Sequence, residues 1–75
     1  MKNKIRELRL QAGLTQKQLA DLALVSSRTI ISIETGQYNP SLLLAYRIAR
    51  IFKTTVEDLY CLQDNLKQED QKYEE

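Results

Sequence analysis

The stretch LADLALVSSRTIISI, residues 19–33, constrains this chain more than any other. Just before it, Thr15 can cap a helix, and Gln18 three residues later can complete a capping box. Leu19, Ala20 and Ala23 then share the inward face of that helix. Ser26 can cap a following helix that runs to Thr35-Gly36, with Ile30 and Ile33, three residues apart, on one side. Only Ala23-Leu24-Val25 separate the last turn of one helix from the cap of the next. Two short helices joined so tightly must cross steeply, the geometry of a helix-turn-helix. Leu19, Ala23, Val25, Ile30 and Ile33 would cement the pair, and Ala20 supplies a small side chain where the backbones approach. Apolar residues at helical spacing usually mean only core, so the joint by itself leaves a purely structural role open.

The remainder of the chain reads as three more helices. The first runs from Lys2 to Ala12, with Ile5, Leu8 and Ala12 on one stripe and Gly13 as its stop. After the loop QYNPS, Pro40 and Ser41 open a fourth helix that buries Leu42, Ala45, Ile48, Ala49 and Phe52. Thr55 with Asp58 makes another capping box for a fifth, VEDLYCL. No stretch alternates as a strand does, so the chain is all-α with five helices. Its 75 residues make one domain with a modest core.

The net charge of +1 conceals a division. Residues 1–63 carry nine Lys or Arg against five Asp or Glu, whereas residues 64–75 carry two against five. The basic body, 1–63, points weakly to a polyanionic partner, and 64–75 reads as an acidic, solvated C-terminal tail. With no histidine and a single cysteine, Cys61, the composition excludes zinc sites and His-activated nucleophiles. No metal, cofactor or catalytic constellation is expected. An apolar run long enough to span a membrane is missing, and the start MKNKIRELRL lacks a signal peptide's apolar centre. A cytoplasmic protein with a reduced thiol is the expectation.

At this point a resemblance enters. The residues Leu14-Thr15-Gln16, Leu19-Ala20, Val25-Ser26, Thr29-Ile30, Ile33-Glu34, Gly36, Asn39-Pro40-Ser41 and Leu59, with RELR in the first helix, resemble the phage-repressor-type (Xre) helix-turn-helix regulators. The match covers residues 4–62. It implies a five-helix, lambda-repressor-like domain, often dimeric, that binds operator DNA to regulate transcription. It further implies that Arg9 pairs with Glu34 to fix the third helix against the first, and that Lys17, Tyr38 and Asn39 neighbour phosphates. Leu24 and Lys53 depart from the pattern, because the family favours Gly in that turn and Gly or Asn at that helix end. Leu22, Leu24 and Leu43 also stand where the family is often polar, either as scattered surface leucines or as a patch for another protein.

Within a major groove, the third helix would present Ser27, Arg28, Ile31 and Ser32. Arg28 can donate two hydrogen bonds to guanine O6 and N7, or else remain a solvated charge or phosphate contact. Ile31 lies about 100° round the helix from Ile30 and about 160° from Ile33, so it cannot follow both inward. It either covers a thymine methyl or packs at a neighbouring edge. Gln16, at the start of the second helix, and Ser26, capping the third, lie where helix ends can hold phosphates. Val56, Leu59, Tyr60, Leu62 and Leu66 exceed what one face of a short helix hides, and imply a homodimer through the last helix, matching a palindromic operator. These readings converge on a DNA-binding transcriptional regulator, a repressor, with double-stranded DNA as partner. The alternative is a module for a protein partner, an antitoxin or anti-repressor on the same scaffold. An enzyme has almost nothing in its favour.

Overall fold

The computed structural model describes residues 2–71, and the last four residues of the acidic segment lie outside them. The chain forms six helices: α1 (Ile5–Gln11), α2 (Gln16–Ala23), α3 (Ser27–Glu34), α4 (Leu42–Ile51), α5 (Val56–Leu59) and α6 (Leu62–Gln71), with no strand among the described residues. Side-chain oxygens set most of the starts. Thr15 accepts from the Gln18 N–H while Gln18 accepts from the Thr15 N–H, a complete capping box. Ser26, Ser41 and Thr55 accept from the N–H groups of Thr29, Leu44 and Asp58. Each such cap contributes about 1 kcal/mol.

The ends follow one pattern as well. The left-handed residues Gly13, Leu24, Gly36 and Lys53 each donate to a carbonyl three residues back. Their successors Leu14, Val25, Gln37 and Thr54 each donate five residues back, closing a Schellman motif. Two of these four positions are not glycine. Leu24 (φ 61°) and Lys53 (φ 55°) both keep the left-handed backbone that the departures from the family pattern put in question.

Ile5, Leu19, Ile30, Ile33, Ile48 and Leu59 are fully buried, with Ala20, Ala23, Ala45 and Ala49 where helices approach closely. Fully burying an Ile or Leu is worth roughly 1.5–3 kcal/mol, so these six residues dominate the stability of the domain. The N-terminal residues 2–4 are tied at three points: Lys4 N–H donates to the Leu59 carbonyl, Asn3 Nδ2 donates to the Ile33 carbonyl, and the Lys2 backbone pairs with the Asn65 side chain.

Several expected positions differ. Ala12 is exposed, and Arg9 takes the buried place on α1. Leu42 is 76% exposed while Leu44 is buried, because Leu44 shares a face with Ala45, Ile48 and Ala49. The fifth helix stops at Leu59, and Cys61 (φ 49°) turns the chain into a sixth. That helix covers residues 64–71 of the segment read as a tail, and none of its residues is buried. Leu59 and Tyr60, expected to face a second subunit, lie in the core of their own, so they offer a partner almost no surface.

Candidate nucleic-acid interface

The crossing of α2 and α3 follows from the Schellman turn at Leu24, which ends α2 two residues before Ser26 caps α3. Ile30 and Ile33 are wholly buried beneath the crossing, so the opposite side of α3 faces outward. Arg28 is exposed there and makes no ion pair among the described residues. Ile31 is 44% exposed, and Ser27 and Ser32 are half-buried. The four residues expected to read bases therefore share one outward side, with Arg28 and Ile31 the more prominent pair.

Ile31 rims an open cleft that it shares with Arg6, Arg9, Thr15, Gln16, Glu34 and Thr35. The cleft joins three elements, and one ion pair organises it. Arg9 Nε lies 2.7 Å from Glu34 Oε2, Nη2 donates to Glu34 Oε1, and Nη1 donates to the Leu14 carbonyl. Gln16 Nε2 donates to Glu34 Oε1 as well, at 3.3 Å. Glu34 thus accepts from both partners, and the end of α3 is locked to α1 and to the start of α2. A buried guanidinium is tolerable only with its donors satisfied, as they are here.

Gln16, expected at a phosphate, is held by Glu34 at the mouth of this cleft, with a second amide hydrogen still able to point outward. Ser26 is engaged in its own helix cap and with the Thr29 hydroxyl, so little of its oxygen is left for DNA. Lys17 is exposed and lies 3.8 Å from Asp21, a screened surface pair. Tyr38 and Asn39 are both exposed, and the Ser32 carbonyl holds the Tyr38 N–H, folding that loop back on the end of α3.

Two residues here take places that the sequence alone does not show. Arg6, an exposed cation, lines the same cleft as Thr15 and Gln16 at the start of α2, where the helix dipole favours an anion. Arg47 donates to the Ala23 carbonyl at the other end of α2, where a cation is favoured. Periodicity marks both as plain surface charges, and only the fold shows which helix end each one meets.

Away from this cleft in its lining residues, Pro40, Leu42, Ala45, Val56, Tyr60 and Leu62 line an apolar groove. Val56 is half-buried, and Leu62 and Leu66 are 38% and 61% exposed. The Tyr60 hydroxyl is buried with no hydrogen-bond partner among the described residues, and burial pushes its pKa up to about 12. No helix of the described residues is long and apolar enough to cross a membrane.

The chain is similar to known proteins over most of its length. A helix-turn-helix family model matches residues 5–59. The chain is 48% identical over 64 residues to an uncharacterized HTH-type transcriptional regulator of Archaeoglobus fulgidus, covering 85% of this chain and 91% of that one. It is 32% identical to a competence pilus inhibition repressor of Acinetobacter baylyi, over 87% of this chain and 59% of the repressor. The crystal structure of the restriction-modification controller protein C.AhdI from Aeromonas hydrophila superposes with a TM-score of 0.70 at 32% identity, over 76% of this chain and 86% of the controller.

Proposed function

Since this chain belongs to the Xre-like helix-turn-helix family of transcriptional regulators, DNA-binding proteins and not enzymes, we propose that it is a repressor that binds a palindromic operator as a homodimer. Residues 1–63 form the DNA-binding unit and work in the cytoplasm. In this reading α3 lies in the major groove with Arg28 and Ile31 against base edges and Ser27 and Ser32 beside them. Gln16, Lys17, Tyr38 and Asn39, joined by Arg6, approach the phosphates on either side.

The observation that carries the proposal is the shared cleft. Ile31 on the outer side of α3 and Gln16 at the start of α2 rim one depression, with Arg6 beside them. The side chain proposed to face bases and the groups proposed to face phosphates thus border one depression, which is what docking in a groove requires. The likeness to a competence pilus inhibition repressor supports repression as the output. Dimerisation falls to residues outside the cleft, among which Val56, Leu62 and Leu66 remain at least partly uncovered.

Selection of bound sequences from a random DNA pool tests this directly. The expected product is an inverted repeat with half-sites about 34 Å apart or a multiple of it, one turn of the double helix. Recovery of sequences with no common element would end the reading. A single asymmetric site would leave the groove contact standing and remove the dimer.

A further inference from the structure

We infer that the homodimer proposed above is held by α6 of one copy lying parallel along the outer face of α4 of the other. The inference rests on the dimer reading and adds which surfaces meet. On α4, Leu43 is 77% exposed and Tyr46 54%, costly places for large apolar side chains on a small domain. One turn further along the same side stands Arg50, whose guanidinium carbon lies 5.9 Å from the Tyr46 ring centroid. This face therefore reads apolar, apolar, basic from its N-terminal end, with Arg47 beside Tyr46 but turned to the Ala23 carbonyl, and α4 contains no acidic residue.

The α6 helix carries the complementary order. Leu62 and Leu66 stand one turn apart and Asp70 follows at the next turn, so its side reads apolar, apolar, acidic. At 1.5 Å per residue, Leu62 to Asp70 spans about 12 Å and Leu43 to Arg50 about 10.5 Å, so the two patterns register when the helices lie side by side. None of the α6 residues is buried within its own subunit. The helix is nevertheless fixed in direction: Asn65 donates to the Lys2 and Tyr60 carbonyls and accepts from the Lys2 N–H. An arm held in place before its partner arrives loses less freedom on docking. The exchange is reciprocal under two-fold symmetry, so each dimer contains the contact twice.

Sedimentation equilibrium of the full chain, with helical content and melting followed to confirm folding, provides the test. Arg50→Glu and Asp70→Lys each weaken the dimer, by about fivefold per exposed pair at low salt, and the double variant recovers to within about twofold of the original. Leu43→Glu yields a folded monomer, whereas Leu22→Glu, on an exposed side of α2, leaves the dimer intact. A double variant as weak as the two single changes combined overturns the inference, as does a Leu43→Glu protein that still pairs. If Leu62→Glu dissociates the dimer while every α4 variant pairs normally, the dimer reading survives and the α6-on-α4 contact falls. If Arg50→Glu lowers DNA affinity without touching self-association, Arg50 belongs to phosphate binding and the inference is lost. A chain monomeric at tens of micromolar, both free and on DNA, removes the dimer reading and this contact together.

Discussion

Leu24 carries a Cβ that its left-handed backbone does not welcome: it holds φ 61° while remaining 75% exposed, so no buried contact offsets the strain. Leu24→Gly should raise unfolding stability by about 1 kcal/mol, and Lys53→Gly, at φ 55°, by a similar amount, both read from urea midpoints at an unchanged slope. An unchanged midpoint would mean that the turn relaxes at no cost. Tyr60 presents the opposite case, a residue whose surroundings suit the ring and not the hydroxyl. Its pKa stands near 12 when folded against 10 when unfolded, so the folded state retains a proton that the unfolded state releases. Stability is therefore intact below pH 10 and declines as pH rises towards 12, by roughly 2–3 kcal/mol for the full shift. Tyr60→Phe should melt higher at neutral pH, and the gap between the two proteins should widen above pH 10. Equal melting temperatures across that range would show the hydroxyl to be satisfied. Ile31 calls for a different measurement, because at 44% exposure it is neither core nor free surface. Ile31→Ala should leave melting nearly unchanged and erase any preference for thymine over uracil at one position per half-site, a methyl contact worth about 0.5–1 kcal/mol. Loss of stability with discrimination intact would assign Ile31 to packing.

Among the elements, α3 depends most on contacts outside itself. It is locked at its end by the Glu34 carboxylate, which serves Arg9 and Gln16 together. Glu34→Ala should cost roughly 1–3 kcal/mol, since it leaves the Arg9 charge buried without its partner. Arg9→Lys should not be benign, because one ammonium cannot reproduce the Nε, Nη1 and Nη2 bonds that tie three elements. Thermal melting with calorimetry checks both, and wild-type stability in Glu34→Ala would reduce the pair to a surface contact. The sequence reveals these elements unevenly, for reasons that can be stated residue by residue. α2 and α3 are legible because Thr15, Gln18 and Ser26 announce the starts and single apolar faces follow. The start of α4 is not, since Leu42-Leu43-Leu44 has no periodicity of its own and only the packing of Ala45 and Ile48 selects Leu44. The break at Cys61 carries neither Gly nor Pro, so the apolar residues Val56, Leu59, Tyr60, Leu62 and Leu66 look like one long face. The turn there sends Leu59 and Tyr60 inward and Leu62 and Leu66 outward, and a surplus counted on a single helix is divided between two. At the candidate site, the outward side of α3 was readable from its opposite, the buried isoleucines. The placing of Arg6 was not, because no local pattern tells which neighbouring helix a surface cation will meet.

At the scale of the whole molecule, cations act by number and direction. If phosphates supply most of the affinity, binding should fall steeply with salt, and Lys17→Ala should lower the slope of log affinity against log salt by about one. Arg6→Ala should do the same, whereas Gln16→Ala should weaken binding with nearly the original slope, since it displaces no counterion. If neither affinity nor slope moves in any of the three, the docking face has been misassigned. The short connections between consecutive helices have a consequence of another kind, concerning time. Most residue contacts join neighbours close along the chain, so little loop entropy must be lost before the contacts form. Helical domains built this way fold in roughly microseconds to milliseconds. A subunit that folds so quickly is ready to pair almost as soon as it leaves the ribosome, so the delay before the proposed dimer forms is set by subunit concentration and not by folding.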